Sequence, residues 1–294
     1  MGIINENASF LCEAKQRGVS FGQVLTLGRQ NVYLSKTHAD QLARTLGLDL
    51  ARARSAAKQG YADDFIRQYL GATDVQALDY SDYEGAQIVH DMNLPLPAEL
   101  EEKFDSLIDG GALEHIFNFP VALANCMRVV KTGGTIFLGA PANNQLGHGF
   151  YQFSPELFYR CLSEDTGFQV ERLFAIEMKY MGGEFGARGK PVSAIDPADV
   201  GARGMIANAH PLHLMIQARK TRHISDPFAK PPQQSDYSQA WQKLPTGRPQ
   251  ESMVRATLRT ISKAMPQPVR TFLLNEYGRL YGYTLRNRKF WKTP

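Results

Sequence analysis

Short apolar runs alternate with amphipathic stretches along the first three-quarters of the chain. Gln23–Gly28, Val75–Asp79, Gln87–Asp91, Phe104–Asp109 and Gly134–Ala140 are short, β-rich and bounded by turn residues. They predict five buried strands, and Phe168–Glu177 and Leu212–Ala218 can supply two more. Between them, Thr37–Leu46, Ala51–Lys58, Ala62–Leu70 and Phe119–Val130 fit helices. Gly71 stops the third of these, and Pro120 sits in the first turn of the fourth. Strands that alternate with helices imply a doubly wound, largely parallel α/β sheet. The long gap from Gly28 to Val75 predicts more than one helix. The Gly/Ala/Pro-rich stretch from Gly182 to Pro211 reads as an insertion before the last strand.

Composition changes this picture in two places. The chain has 294 residues, 43 % hydrophobic and 21 % charged, which excludes a chain disordered throughout. The net charge of +4 conceals an asymmetry. Residues 1–218 carry 18 Lys and Arg against 25 Asp and Glu, a balance of −7; residues 219–294 carry 15 against 4, a balance of +11. A boundary near 221/222 follows, with a domain over 1–221 and a basic linker and helical extension over 222–294. His223–Pro249 is rich in Pro, Gln and Ser and reads as a linker. Ser252–Ala264 and Val269–Tyr283 read as helices, with Val254, Leu258, Ile261, Phe272 and Leu273 expected to bury against the body or a second subunit. Cys12, Cys126 and Cys161 offer neither a disulfide framework nor zinc-ligand spacing, so a reducing, cytoplasmic setting is expected and no metal is. No apolar run approaches the roughly 20 residues of a membrane span.

A doubly wound sheet binds ligands beyond the carboxyl ends of its strands. That rim would hold Gly28, Asp79, Asp91, Asp109 and Pro141. A carboxylate at Asp79 suits the two hydroxyls of a ribose, and one at Asp91 suits the exocyclic amine of an adenine. Tyr80 and Met92 could enclose the ring. Either aspartate could equally be a solvated turn residue or a helix cap. After Asp109, Gly110 and Gly111 let the backbone approach a ligand closely, and Glu114 and His115 follow near the rim. The Gly-x-Gly-x-x-Gly turn of a dinucleotide site is absent after the first strand.

Leu78-Asp79, Asp91, the Phe-Asp-Ser-Leu-Ile-Asp strand and Val-Val-Lys-Thr-Gly-Gly before the fifth strand together resemble the class I S-adenosylmethionine-dependent methyltransferases. The resemblance covers about residues 20–218. It implies a Rossmann-like, mostly parallel seven-stranded sheet with the last strand antiparallel, and S-adenosylmethionine as methyl donor. Asp79, Tyr80, Asp91, Met92, Gly28, Asp109 and Gly110 are then the expected cofactor residues. The family's glycine-rich first loop is reduced here to Gly28, followed by Arg29 and Gln30, and Thr26 stands where an acidic residue is common.

Asn143–Ser154 follows the fifth strand and should hang over the methyl end of the cofactor. His148 lies between Gly147 and Gly149 and is the first candidate base, with His115 second and Tyr151 as a further site residue. Histidine is the side chain best suited to taking a proton near neutral pH; both could also be structural hydrogen-bonding residues. His210 and His213 have the look of a metal pair but lack a third ligand at suitable spacing. The expected function is methyl transfer to oxygen or nitrogen of a small-molecule or glycan-type acceptor. A non-catalytic binding or scaffold subunit and, more remotely, a nucleic-acid methyltransferase are the alternatives. No Asn/Asp-Pro-Pro-Tyr/Phe motif or recognised RNA-binding motif is present. The basic tail could meet nucleic-acid phosphate and bases, make weak contact with an anionic membrane surface or a lipid-linked substrate, or dock on the acidic body or a second subunit as a homo-oligomer, and docking is the expectation.

Overall fold

The computed structural model describes residues 2–181, 184–201, 204, 206–242 and 265–294. Its central sheet begins with β2 (Gln23–Leu27), β5 (Asp74–Asp79), β6 (Ile88–Val89), β7 (Phe104–Asp109) and β8 (Val130–Pro141), all parallel. β9 (Phe168–Met181) and β12 (Leu212–Lys220) complete a seven-strand core in the order β6-β5-β2-β7-β8-β12-β9. β12, last in sequence of the seven, runs antiparallel to both β8 and β9. This is the α/β, doubly wound, mostly parallel Rossmann-like architecture expected from the chain.

Alternation along the strands explains why the sheet is covered on both faces. Leu25, Leu107, Ile136, Leu138, Leu214 and Ile216 enter one core; Val24, Ile108, Phe137 and Met215 enter the other. Successive strand side chains point to opposite faces, so apolar runs without polar alternation must be buried on both. Helix α5 (Phe119–Val129) caps the first face through Leu123, Cys126 and Met127. Helix α1 (Asn5–Gln16) caps the second through Phe10, Leu11 and Cys12. All three cysteines are free and buried.

Two parts of the sheet were not foreseen. Among the described residues the sheet has ten strands where seven are expected, because β10 (Glu184–Ala187) and β11 (Val192–Ala194) pair with β9, and β13 (Trp291–Lys292) pairs with β11. The insertion and the end of the chain thus supply partners to the unpaired backbone groups of an edge strand. In addition, β1 (Gly2–Ile4), β3 (Asn31–Tyr33) and β4 (Gly60–Tyr61) form a separate three-stranded sheet. These strands are too short to leave an alternating pattern. The gap between β2 and β5 holds three helices, α2 (Lys36–Thr45), α3 (Leu50–Ala56) and α4 (Asp63–Leu70), the last closed by a left-handed Gly71.

The C-terminal helix spans Gln267–Tyr277, overlapping the expected Val269–Tyr283 but starting two residues earlier and ending six earlier. The expected burial of its apolar residues against the body is not found: Phe272 is 63 % exposed and Leu273 47 %. The chain after this helix touches the body, first where the Tyr283 carbonyl accepts the Ala207 N–H and then at Trp291, which enters the core. Ser252–Ala264, with Val254, Leu258 and Ile261, lies outside the described residues. Among the described residues no helix is long and apolar enough to cross a membrane.

Trp291 is 5 % exposed, and the neighbouring Phe290 carbonyl accepts the Ile195 N–H at 2.9 Å. Truncating a buried tryptophan typically costs ~3–5 kcal/mol. Trp291→Ala should therefore lower the free energy of unfolding by about 3 kcal/mol or more in a urea titration. A change below about 1 kcal/mol would mean that the chain end does not anchor the sheet edge.

Candidate functional site

The carboxyl rim of the sheet opens into a cavity of about 640 Å³. Gly2, Asn5, Asn7, Val32 and Ser35 line it together with Gly110, Gly111, His115, Gln145, His148 and His213. The N-terminal segment therefore completes the pocket, a contribution that its short strand did not advertise in the sequence.

Asp109 ends β7 and lies almost fully buried. Its carboxylate accepts the N–H groups of Gly111, Ala112 and Leu113, which fixes the turn leading to Glu114. Burial nevertheless outweighs these bonds and pushes its pKa up to about 6. Glu114 is 1 % exposed, and its Oε2 has no hydrogen-bond partner. Burial first, and the charge of Asp109 second, raise its pKa to about 8. Its Oε1 lies 3.5 Å from His148 Nε2 and 3.9 Å from His115 Nε2. The two imidazole rings are 5.5 Å apart, and both side chains are about half exposed toward the pocket.

Backbone bonds hold the two segments together. The Glu114 carbonyl accepts N–H groups from Phe150 and Tyr151. A Cβ on Gly149 would meet that carbonyl at 2.9 Å, so glycine is required for this close approach. The Asn144 side chain, at a positive φ of 65°, donates to the carbonyls of Asn208 and His210 and pins the start of the loop. Tyr151 donates its hydroxyl to the Phe117 carbonyl at 2.6 Å and packs on Phe119. It braces the loop and does not line the cavity.

The expected cofactor residues fall into two groups. Gly110 lines the cavity, where the group brought close to its Cα is Gln30: an added Cβ would lie 2.5 Å from Gln30 Oε1 and 3.0 Å from the Gly2 carbonyl. Gly28 turns the chain at φ 69°. Asp79 and Asp91 sit half-buried at the ends of the neighbouring strands β5 and β6, away from the cavity lining. Asp79 accepts its neighbour's N–H, that of Tyr80, and Asp91 accepts both the backbone and side-chain N–H groups of Asn93. These last bonds hold the Asp91 carboxyl below its ordinary pKa. Tyr80 stands exposed on the rim, whereas Met92 is buried in the core beside Asn125 and leaves little surface for a ring.

In the turn after β2, two side chains are tied down. Arg29 donates to the Glu84 carbonyl and stacks 3.9 Å over the Tyr61 ring. Gln30 is buried, donates to the Leu27 carbonyl and leaves Oε1 without a partner. His210 and His213 part company. His210 contacts Arg188, while His213 enters the cavity wall and places Nε2 3.1 Å from Asn7 Oδ1.

No family model matches the chain, and no curated protein matches it. Three solved structures illustrate what it is similar to. The YcgJ protein of Bacillus subtilis is 13 % identical, with 74 % of this chain and 98 % of that one covered at a TM-score of 0.39. The 1,6-didemethyltoxoflavin-N1-methyltransferase of Burkholderia thailandensis, solved with S-adenosylhomocysteine, is 14 % identical over 74 % of this chain and 78 % of its own, at 0.37. TehB of Haemophilus influenzae is 13 % identical over 72 % and 62 %, at 0.36. At these TM-scores the likeness carries no argument about the site, which stands on its own geometry.

His213 generates a prediction of its own. Burial disfavours its imidazolium, His148 adds to the effect, and the pKa falls to about 4. The unfolded chain thus binds a proton near the ordinary pKa of about 6.5 that the folded chain refuses until about 4. Stability should drop as pH falls through that window. His213→Gln, which keeps a donor for Asn7, should flatten this acid limb in urea midpoints measured from pH 7 to 4. An unchanged pH dependence would place the acid sensitivity elsewhere.

Proposed function

We propose that the chain transfers a methyl group from S-adenosylmethionine to a hydroxyl or amine of a small-molecule or glycan-type acceptor. The observation that carries this reading is the seven-strand core with its antiparallel seventh strand, whose carboxyl rim presents Asp79, Asp91 and Asp109 at three strand ends, with the His148 pocket opening beyond the last of them. The half-buried carboxylates of Asp79 and Asp91 suit the ribose hydroxyls and the adenine amine. The cofactor supplies an electrophilic methyl group on a sulfonium.

The chain's own groups provide position and proton transfer. Asp109 and Glu114 lie buried behind the pocket wall formed by Gly110, Gly111 and His115, where carboxyl groups are compatible with a cationic sulfur. His148, held by Gln145 and the Glu114 clamp, takes the acceptor's proton; the acceptor's lone pair forms the new bond to carbon as the carbon–sulfur bond breaks. Methyl transfer is an in-line displacement, so the fixed loop geometry contributes much of the rate. His115 is the second candidate for the proton. The setting proposed is cytoplasmic.

A scaffold role on the same fold draws support from one observation. Arg29 and Gln30 occupy the turn where a glycine-rich loop would embrace the amino-acid end of the cofactor.

Calorimetric titration with S-adenosylhomocysteine separates the two readings. Binding is expected, and Asp79→Ala should weaken it about tenfold to hundredfold, the range of a hydrogen bond to a charged group. Absence of binding at millimolar ligand would favour the scaffold. With an acceptor in hand, His148→Ala should lower turnover about a hundredfold or more and leave cofactor binding nearly intact. Full activity in His148→Gln would show that the ring positions the acceptor and does not take its proton.

A further inference from the structure

We infer that Glu114, His115 and His148 form a binding site for a single divalent transition-metal ion of the zinc class. One ligand atom from each residue lies within 4.8 Å of the others, and Glu114 Oε1 is 3.5 Å from His148 Nε2 and 3.9 Å from His115 Nε2. Ligands about 2.1 Å from a tetrahedral ion sit about 3.4 Å from one another, so sub-ångström side-chain movements complete the shell. Two imidazoles and one carboxylate are a donor set suited to zinc with one position left open.

Two further observations point the same way. Glu114 is 1 % exposed, yet its Oε2 has no hydrogen-bond partner, and among the described residues no Lys or Arg pairs with it. A buried carboxylate needs a cation or a proton, and among the described residues the titratable side chains that face it are the two imidazoles and the Asp109 carboxyl. Secondly, the site is preorganised. The Glu114 carbonyl binds the backbone on the far side of His148 through Phe150 and Tyr151, so the two ligand-bearing segments are fixed to each other before any ion arrives. The half-exposed imidazoles leave a path from solvent, and the open coordination position faces the 640 Å³ cavity. A water, or an oxygen of the acceptor, completes the shell; only that last identity rests on the methyl-transfer reading, and the role of His148 as base in that reading applies to the protein without the ion, because a ligating Nε2 has no lone pair left for a proton.

Untagged full-length protein, stripped with a chelator, should be titrated with Zn²⁺ by calorimetry and with Co²⁺ by visible absorption. We expect one equivalent per chain, with the intense d–d bands of a four- or five-coordinate cobalt site. Glu114→Gln and His148→Ala should each weaken Zn²⁺ binding at least tenfold, with circular dichroism confirming the fold; His115→Ala provides a third variant if His148→Ala does not fold. His223→Ala is the control, because His223 lies within 3.8 Å of Glu101 and Glu102 in the other His-carboxylate cluster. It should leave binding unchanged. No saturable binding at 100 µM Zn²⁺ (roughly the upper end of a useful site's Kd, about 5.5 kcal/mol), binding indifferent to Glu114→Gln and His148→Ala, or binding abolished by His223→Ala would each overturn the proposal. These titrations contain no S-adenosyl compound, so their failure is separate from a failure of cofactor binding.

Discussion

The buried carboxyl of Glu114 is the constraint on which the rim of this molecule depends. Its side chain is closed off from solvent with one oxygen unpartnered, beside a second buried carboxyl at Asp109. A pair of this kind cannot be fully charged without compensation, and burial drives both pKa values upward. The backbone answers by committing three N–H groups to Asp109, which leaves Glu114 dependent on whatever faces it from the pocket. Two imidazoles do so, one from its own turn and one from the loop after β8. The same residue's carbonyl clamps that loop. A single buried group thus joins the end of β7, the loop after β8 and the chemistry of the cavity.

Much of the sheet was legible in the sequence because its strands are apolar on both faces. The run Phe104–Asp109 marks β7 at its observed bounds, and Val75–Asp79 misses β5 by one residue. Phe119–Val129 was legible as a helix from Pro120 and the glycines beyond its end. The additional strands were hidden for a physical reason. β11 and β13 are three and two residues long, and their order comes from pairing at a sheet edge across about a hundred residues of chain, which no local pattern records.

The candidate site was legible residue by residue and obscure as a constellation. His148 and His115 stood out by their place after strands, and the structure brings them together. Glu114 was noticed beside them, but its importance lies in burial, and a polar residue between Leu113 and His115 carries no signal that it faces inward. His213 and Asn7 were out of reach for another reason: their contact joins positions 206 residues apart. The expectation that no metal is involved came from cysteine and histidine spacing along the chain. Spacing finds ligands that share a turn or helix; here one ligand lies more than thirty residues from the other two, and the loop clamp supplies the proximity.

Gln30, in the turn after β2, is packed against the turn that follows β7. Gln30 extends its amide toward Gly110, where any larger residue would collide with Oε1 at 2.5 Å. Gly2, whose carbonyl makes the second close contact at 3.0 Å, also donates its N–H to the Gly110 carbonyl. The first loop, the turn after β7 and the N-terminal strand are therefore packed as one unit, and the space that flexible glycines would open is taken by a fixed amide. A ligand entering this rim meets side-chain amides and imidazoles at the cavity wall instead of a mobile backbone cradle. Gln30 Oε1 and Glu114 Oε2 lie buried behind that wall without partners, each at a cost of about 1–3 kcal/mol that the packing of the rim must offset.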